Sequence, residues 1–164
     1  METRLYSGWR LISCSERDFH GNAMQPLTSF LLCLLLIATA PAHAEPVVVV
    51  SARSGIERLS RDEVVNIFLG RYRGLSNGTQ AIPIDQPEGG SLRAEFYRRL
   101  VNKELNEINA YWSRLIFSGK TSPPRQAADA AEVYALLARN PGGIAYIERA
   151  QVDHRFRIVL ELPR

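Results

Sequence analysis

LSRDEVVNIFLGRYRGLSNGTQAIPIDQPEGGSLRAEFY, Leu59 to Tyr97, reads as helix, glycine stop, turn, strand, glycine loop, helix. Ser60 and Glu63 form an S-x-x-E capping box ahead of the apolar Val64, Val65, Ile67, Phe68 and Leu69. Gly70 stands where a helix end wants a left-handed residue, a conformation glycine adopts at little steric cost. Ala81 to Ile84 is a short apolar strand. Glu88-Gly89-Gly90-Ser91 then leads into a second amphipathic helix carrying Leu92, Phe96, Leu100 and Val101. A glycine loop at a helix N-terminus presents backbone N–H groups and the positive end of the helix dipole, which suits an anion. The candidate binding residues are therefore Gly89, Gly90, Ser91 and Arg93, the arginine lying in the same helix. Ser91 also has a purely structural reading, as an N-cap worth about 1 kcal/mol. Arg93 has one too, as a surface residue. Arg71 and Arg73 are secondary candidates.

Outward from this stretch the pattern alternates strand and helix. Val47 to Val50 is a continuous apolar run, as expected of a strand buried on both faces. Asn77-Gly78 marks a turn. Leu105, Ile108, Trp112 and Leu115 recur at helical spacing, and Ser118-Gly119-Lys120 ends that helix. Ala127 to Arg139 is helical, with Val133, Leu136 and Leu137 on its apolar face and Asn140-Pro141-Gly142-Gly143 as its stop. Ile144 to Ile147 and Phe156 to Leu162 read as strands. The expected fold is three-layer α/β, a mixed sheet with flanking helices.

Leu27 to Thr39 is almost wholly apolar and is followed by Ala42-His43-Ala44, an A-x-A cleavage pattern. Residues 1–44 are therefore expected to be a leader with a secretory signal peptide cut after Ala44, placing residues 45–164 in the periplasm as a single domain. Met24 is an alternative start. The apolar run is shorter than the roughly 20 residues that span a bilayer, so no stable membrane insertion is expected after cleavage. Cys14 and Cys33 leave with the leader, which removes thiol chemistry, disulfides and cysteine metal sites from the remainder.

The chain carries a formal charge of +3, and its only lysines are Lys103 and Lys120. Arginine suits bidentate contacts to oxyanions. The arginines are spread without aromatic interleaving, so nucleic acid is not expected as a partner. His154 is the one histidine beyond the leader, in a polar Asp153-His154-Arg155 turn. Without a second histidine or a cysteine, zinc sites and Cys-His catalysis are excluded, and no serine sits in a nucleophile elbow. Asp62-Glu63 and Glu104/Glu107 read as capping and solvated charge. No catalytic residue, metal ligand or cofactor is assigned, and an enzyme is not expected.

Several phrases resemble the phosphate-binding proteins of ABC transporters. "LSRDEVVNIFLGRYRG" is similar to a segment of that family in which a helix ends in IFLG. "EGGSLRAEF" lies where the family carries its Ser-Gly-Thr anion loop, shortly before a helical phenylalanine. "NPGGIAYIERA" resembles a later Pro-Gly-x-Ile-Gly-Tyr phrase, and "YWSRLIFSGK" has the spacing of short, single-lobe members. The resemblance spans about residues 47–150 and implies a periplasmic-binding-protein-like single lobe binding phosphate or a related oxyanion. It also implies an ABC permease or a periplasmic sensor domain as partner. Aligning Phe96 with the family's phenylalanine puts Gly90, Ser91 and Leu92 on Ser, Gly and Thr. One hydroxyl survives, shifted by one position, and Asp85 falls near the place of the family's basic residue. A carboxylate there is unfavourable for an oxyanion at short range.

A two-lobed receptor needs about twice 120 residues, so hinge closure over a ligand is not available to one lobe. The alternative expectation is a ligand-free interaction module that docks a transporter, a sensor or a second copy of itself. That reading expects exposed aromatic residues, such as Tyr72 or Tyr97, on the face a second lobe would cover.

Overall fold

The computed structural model describes residues 44–163, apart from Lys120. The expected leader lies outside this range except for Ala44. Strand β1 is Pro46–Ser51, helix α1 Arg61–Phe68, β2 Ile82–Asp85, α2 Ser91–Val101 and α3 Leu105–Phe117. A two-residue strand β3, Arg125–Gln126, precedes helix α4, Ala130–Arg139. Strand β4, Gly143–Glu148, a short 3-10 turn, Arg149–Gln151, and β5, Phe156–Glu161, complete the elements among the described residues.

The five strands form one mixed sheet in the order β3-β2-β4-β1-β5. β2 is parallel to β3 and β4, whereas β1 is antiparallel to β4 and β5. The valine run is the middle of this sheet. Val48 and Val50 join Ile144 and Tyr146 on the face covered by α1, α2 and α3, where Val64, Phe68, Phe96, Leu100, Ile108 and Trp112 are buried. Val47 and Val49 join Ala145 and Ile147 on the face covered by α4 through Val133, Leu136 and Leu137. Alternating side chains of one strand feed two cores, so the expected three-layer α/β architecture is observed.

The local signals act where the sequence places them. Ser60 caps α1 in a full capping box with Glu63, and Gly70 takes φ +69° with Trp112 and Thr121 packed against it. Gly142 has a different reason to be glycine. A Cβ there would stand 2.0 Å from the Gln80 carbonyl oxygen, because Ile82 N–H donates to Gly142 O and draws the backbones together. Register shifts between β1 and β5 at Val48/Val49, and Val159 O accepts from Leu59 N–H at 3.0 Å.

Three details depart from the sequence reading. Asp129, not Ala127, begins α4, as an N-cap accepting from Glu132 N–H. Ala127 and its neighbours instead extend along β2, with Arg125–Gln126 as edge strand β3 and Ala127 N–H donating to Asp85 O. Ser91 is the first residue of α2 and not its cap. Gly90 is the N-cap and offers no side chain, so no side-chain cap bond forms.

Candidate functional site

β2 ends at Asp85, and the chain turns through Gln86, Pro87, Glu88, Gly89 and Gly90 into α2. Gly89 takes φ +77° with open space around it, and Gly90 N–H donates to Pro87 O at 3.3 Å. The structure thus places Gly89, Gly90 and Ser91 together at the mouth of α2. Ser91 and Glu88 are exposed.

Arg93 is elsewhere. It points inward, 5% exposed, and its Nε donates to Asp85 Oδ2 at 2.9 Å. Its Nη2 donates to Asn109 Oδ1 on α3 at 3.3 Å, and its guanidinium lies 5.5 Å from the Tyr97 ring centroid. Nη1 is buried without a hydrogen-bond partner among the described residues. Neither the surface reading of Arg93 nor an arginine reaching out past the loop matches this position. The reason is packing: residues 93, 96, 97 and 100 share the buried face of α2, and position 93 meets a carboxylate at the end of β2.

That carboxylate is the centre of the site. Asp85 is 4% exposed and takes four donors on two oxygens. Oδ2 accepts from Arg93 and from the Tyr97 hydroxyl at 3.1 Å; Oδ1 accepts from Gln86 N–H at 3.0 Å and from the Tyr146 hydroxyl. Gln86 Nε2 in turn donates to Tyr146 O at 2.8 Å. Tyr146 stacks on Phe96 with centroids 3.6 Å apart and planes 6° from parallel, and Tyr97 meets the same ring edge-on. Burial, and then the Asp85 charge, push both phenols well above the ordinary tyrosine value, so both stay protonated donors. Burial acts to lower the Arg93 value, but the charge and hydrogen bond of Asp85 outweigh it and hold the guanidinium above its ordinary range.

Tyr97 is therefore a core residue, not the exposed aromatic expected of a docking face. Tyr72 is 58% exposed, as expected, and Ile116 and Phe117 at the end of α3 are 56% and 96% exposed. Arg73 Nη2 donates to Thr121 Oγ1 at 3.1 Å, so the segments after α1 and α3 run side by side. Tyr72 lines a cavity there with Pro123 and Pro124, beside the start of β2 and away from Asp85 at its end. Among the described residues no group of three or more His, Cys, Asp or Glu side chains is placed to hold a metal, and no helix is long and apolar enough to cross a membrane.

The residues missed by sequence reasoning are Tyr97 as a hydroxyl donor, Tyr146, Gln86 and Asn109. A carboxylate directly after an apolar strand, at the carboxyl end where α/β sheets gather ligands, was the available signal for Asp85. Nothing local marks Tyr146, which is 61 residues away.

No protein-family model and no curated protein matches the sequence. Solved structures share its fold, two of them as follows. One is assigned as a phosphate ABC transporter substrate-binding protein with bound phosphate, from Clostridium perfringens. It is 12% identical with a TM-score of 0.55, over 70% of this chain and 44% of that one. The other is an ABC-type phosphate transport receptor from Vibrio cholerae, 11% identical with a TM-score of 0.55, over 70% and 45%. This chain spans less than half the length of either structure. At such identity the likeness is one of fold, a periplasmic-binding-protein-like α/β unit.

Proposed function

We propose that this chain is an exported, single-lobe domain with the phosphate-receptor fold that acts by docking a partner protein. Capture of a free oxyanion is the second reading. The observation that carries the first is the Arg93–Asp85 pair: the one arginine of the candidate loop is buried and neutralised by a carboxylate of the same chain. An anion arriving at Gly89 to Ser91 meets no free cation in the candidate set, and Glu88 opposes it. The docking surface in this reading includes Tyr72, Ile116 and Phe117, large apolar side chains left in solvent. Its partners are a permease, a sensor domain or a second copy.

The second reading keeps one observation of its own. Helix α2 starts without a side-chain cap, so its first-turn N–H groups are available at the exposed mouth of the loop. In that reading, Ser91→Asp abolishes anion binding and leaves the fold intact.

The deciding experiment is a thermal-shift titration of residues 45–164 with phosphate, sulfate and molybdate against chloride at matched ionic strength. Docking predicts no selective shift. A ligand at 100 times its dissociation constant would add about 2.7 kcal/mol, several degrees for this size, and a phosphate-selective shift overturns the docking reading. Photo-crosslinkers at Tyr72 and Phe117 in the native host are expected to give a discrete protein adduct, and one at Ser91 none.

A further inference from the structure

We infer that the cluster around Asp85 is a carboxylate-binding cradle whose ligand is supplied by the chain itself. The inference rests on the reading above that the loop's arginine is spent internally. Four donors converge on one buried carboxylate: a guanidinium, two phenols and a backbone N–H. They come from the turn after β2, from α2 and from β4, so no single local motif creates the arrangement.

Each donor is also held by something other than Asp85. Tyr146 is stacked on Phe96, and Tyr97 packs edge-on against the same ring. Gln86 is tied to Tyr146 O through its own side chain, and Arg93 is tied to Asn109. The donor positions are thus preorganised by packing, and Asp85 fills them as a ligand fills a site. A spare donor remains, because Arg93 Nη1 is buried with no partner among the described residues. With the carboxylate gone, a buried guanidinium would face two phenols stripped of their acceptor, while Gln86 N–H keeps only the Tyr146 hydroxyl at 3.3 Å. That is a strong demand for a small monoanion. An external anion can reach the cradle only by displacing Asp85, which the backbone tethers at an effective concentration far above that of any dilute solute.

The test is chemical rescue. Asp85→Gly removes Cβ and the carboxylate, and acetate replaces those atoms one for one, while acetamide is the neutral isostere. Asp85→Gly is expected to melt well below the wild type and to regain several degrees on adding acetate or formate at fixed ionic strength, the gain growing with concentration. Acetamide should give none of it, and the wild type should not respond. Adding Tyr146→Phe to Asp85→Gly should weaken the acetate response and so locate it. Asp85→Ala, which keeps Cβ and leaves a gap the size of the lost carboxylate, is the second variant, with formate as its probe. If either variant is unfolded alone, acetate or formate present during refolding must restore the native near-ultraviolet circular dichroism. Failure of both variants to respond beyond the acetamide control overturns the inference. Phosphate binding by the wild type would overturn the docking reading and leave the rescue result standing, whereas unresponsive variants with an anion-indifferent wild type would do the reverse.

Discussion

Asp85→Asn is expected to cost more stability than Arg93→Met, although both break the same 2.9 Å ion pair. Asparagine keeps the shape but not the charge, so it strands the Arg93 guanidinium at 5% exposure with Asn109 as its only other hydrogen-bond acceptor. Removing one partner of a buried pair costs about 3–5 kcal/mol, and this case belongs in that range. Arg93→Met strands a carboxylate instead, but that carboxylate keeps Tyr97, Tyr146 and Gln86 N–H as donors. Hydrogen bonds to a charged group contribute about 1.5–3 kcal/mol each, so the three remaining donors should hold the loss to roughly 2–3 kcal/mol. The double variant leaves neither charge and should lose less than the two singles together, by at least about 1.5 kcal/mol. Urea unfolding of the four proteins, read at constant m, gives the cycle. With about 3–5 °C per kcal/mol for this size, the singles should separate clearly in melting temperature as well. Additive losses within about 0.5 kcal/mol, or a costlier Arg93→Met, would refute the argument that Asp85 is the hub and Arg93 one of its several donors.

Stability should also fall at alkaline pH through Tyr97 and Tyr146. Their folded values lie above the unfolded value of about 10, so their contribution is whole below pH 10 and is lost as pH rises beyond it. Two such phenols give a slope of about 2.7 kcal/mol per pH unit, and urea unfolding of the Tyr97→Phe variant should show about half of it. On the acid side, hydrogen bonding to Arg98, then to Arg99, holds Glu95 down to about 2 against the opposing effect of burial. Its contribution is present above the unfolded carboxyl value and lost as pH falls through about 2, so Glu95→Gln should flatten the acid limb of the stability curve. Gly142→Ala should cost more than about 2 kcal/mol, because its Cβ would stand 2.0 Å from a backbone oxygen that cannot move freely. Gly89→Ala, with φ +77° but nothing nearby, should cost only about 1 kcal/mol; equal losses in the two would discount the steric argument.

Local chemistry made much of the fold legible. The Ser60–Glu63 capping box, the left-handed glycine at 70, the turn at Asn77-Gly78 and the valine run all depend on residues a few positions apart, and all appear as read. The glycine loop before α2 was legible for the same reason. The short edge strand β3 was not, since two residues carry no period and pair only because β2 lies beside them. Nor was Gly142 legible as a point of close approach, because the oxygen it avoids is at Gln80, across the sheet.

By itself the sequence determined most of the helices and strands and that one strand is buried on both faces, since backbone sterics, capping and alternation act over a few residues, whereas the edge strand β3 and the later start of α4 were decided by β2 beside them. It also determined that Asp85 and Arg93 lie on either side of a glycine loop. Only the tertiary structure decided that these two meet inside the protein, that Tyr97 faces inward and that Tyr146 arrives from the neighbouring strand to complete the cluster. Those outcomes depend on how α2 crosses the sheet and on strand order, which are set by packing between distant residues, Tyr146 lying 61 positions from Asp85 and Glu161 pairing with Val47 across 114, and a buried charge finds its partners only after that packing exists.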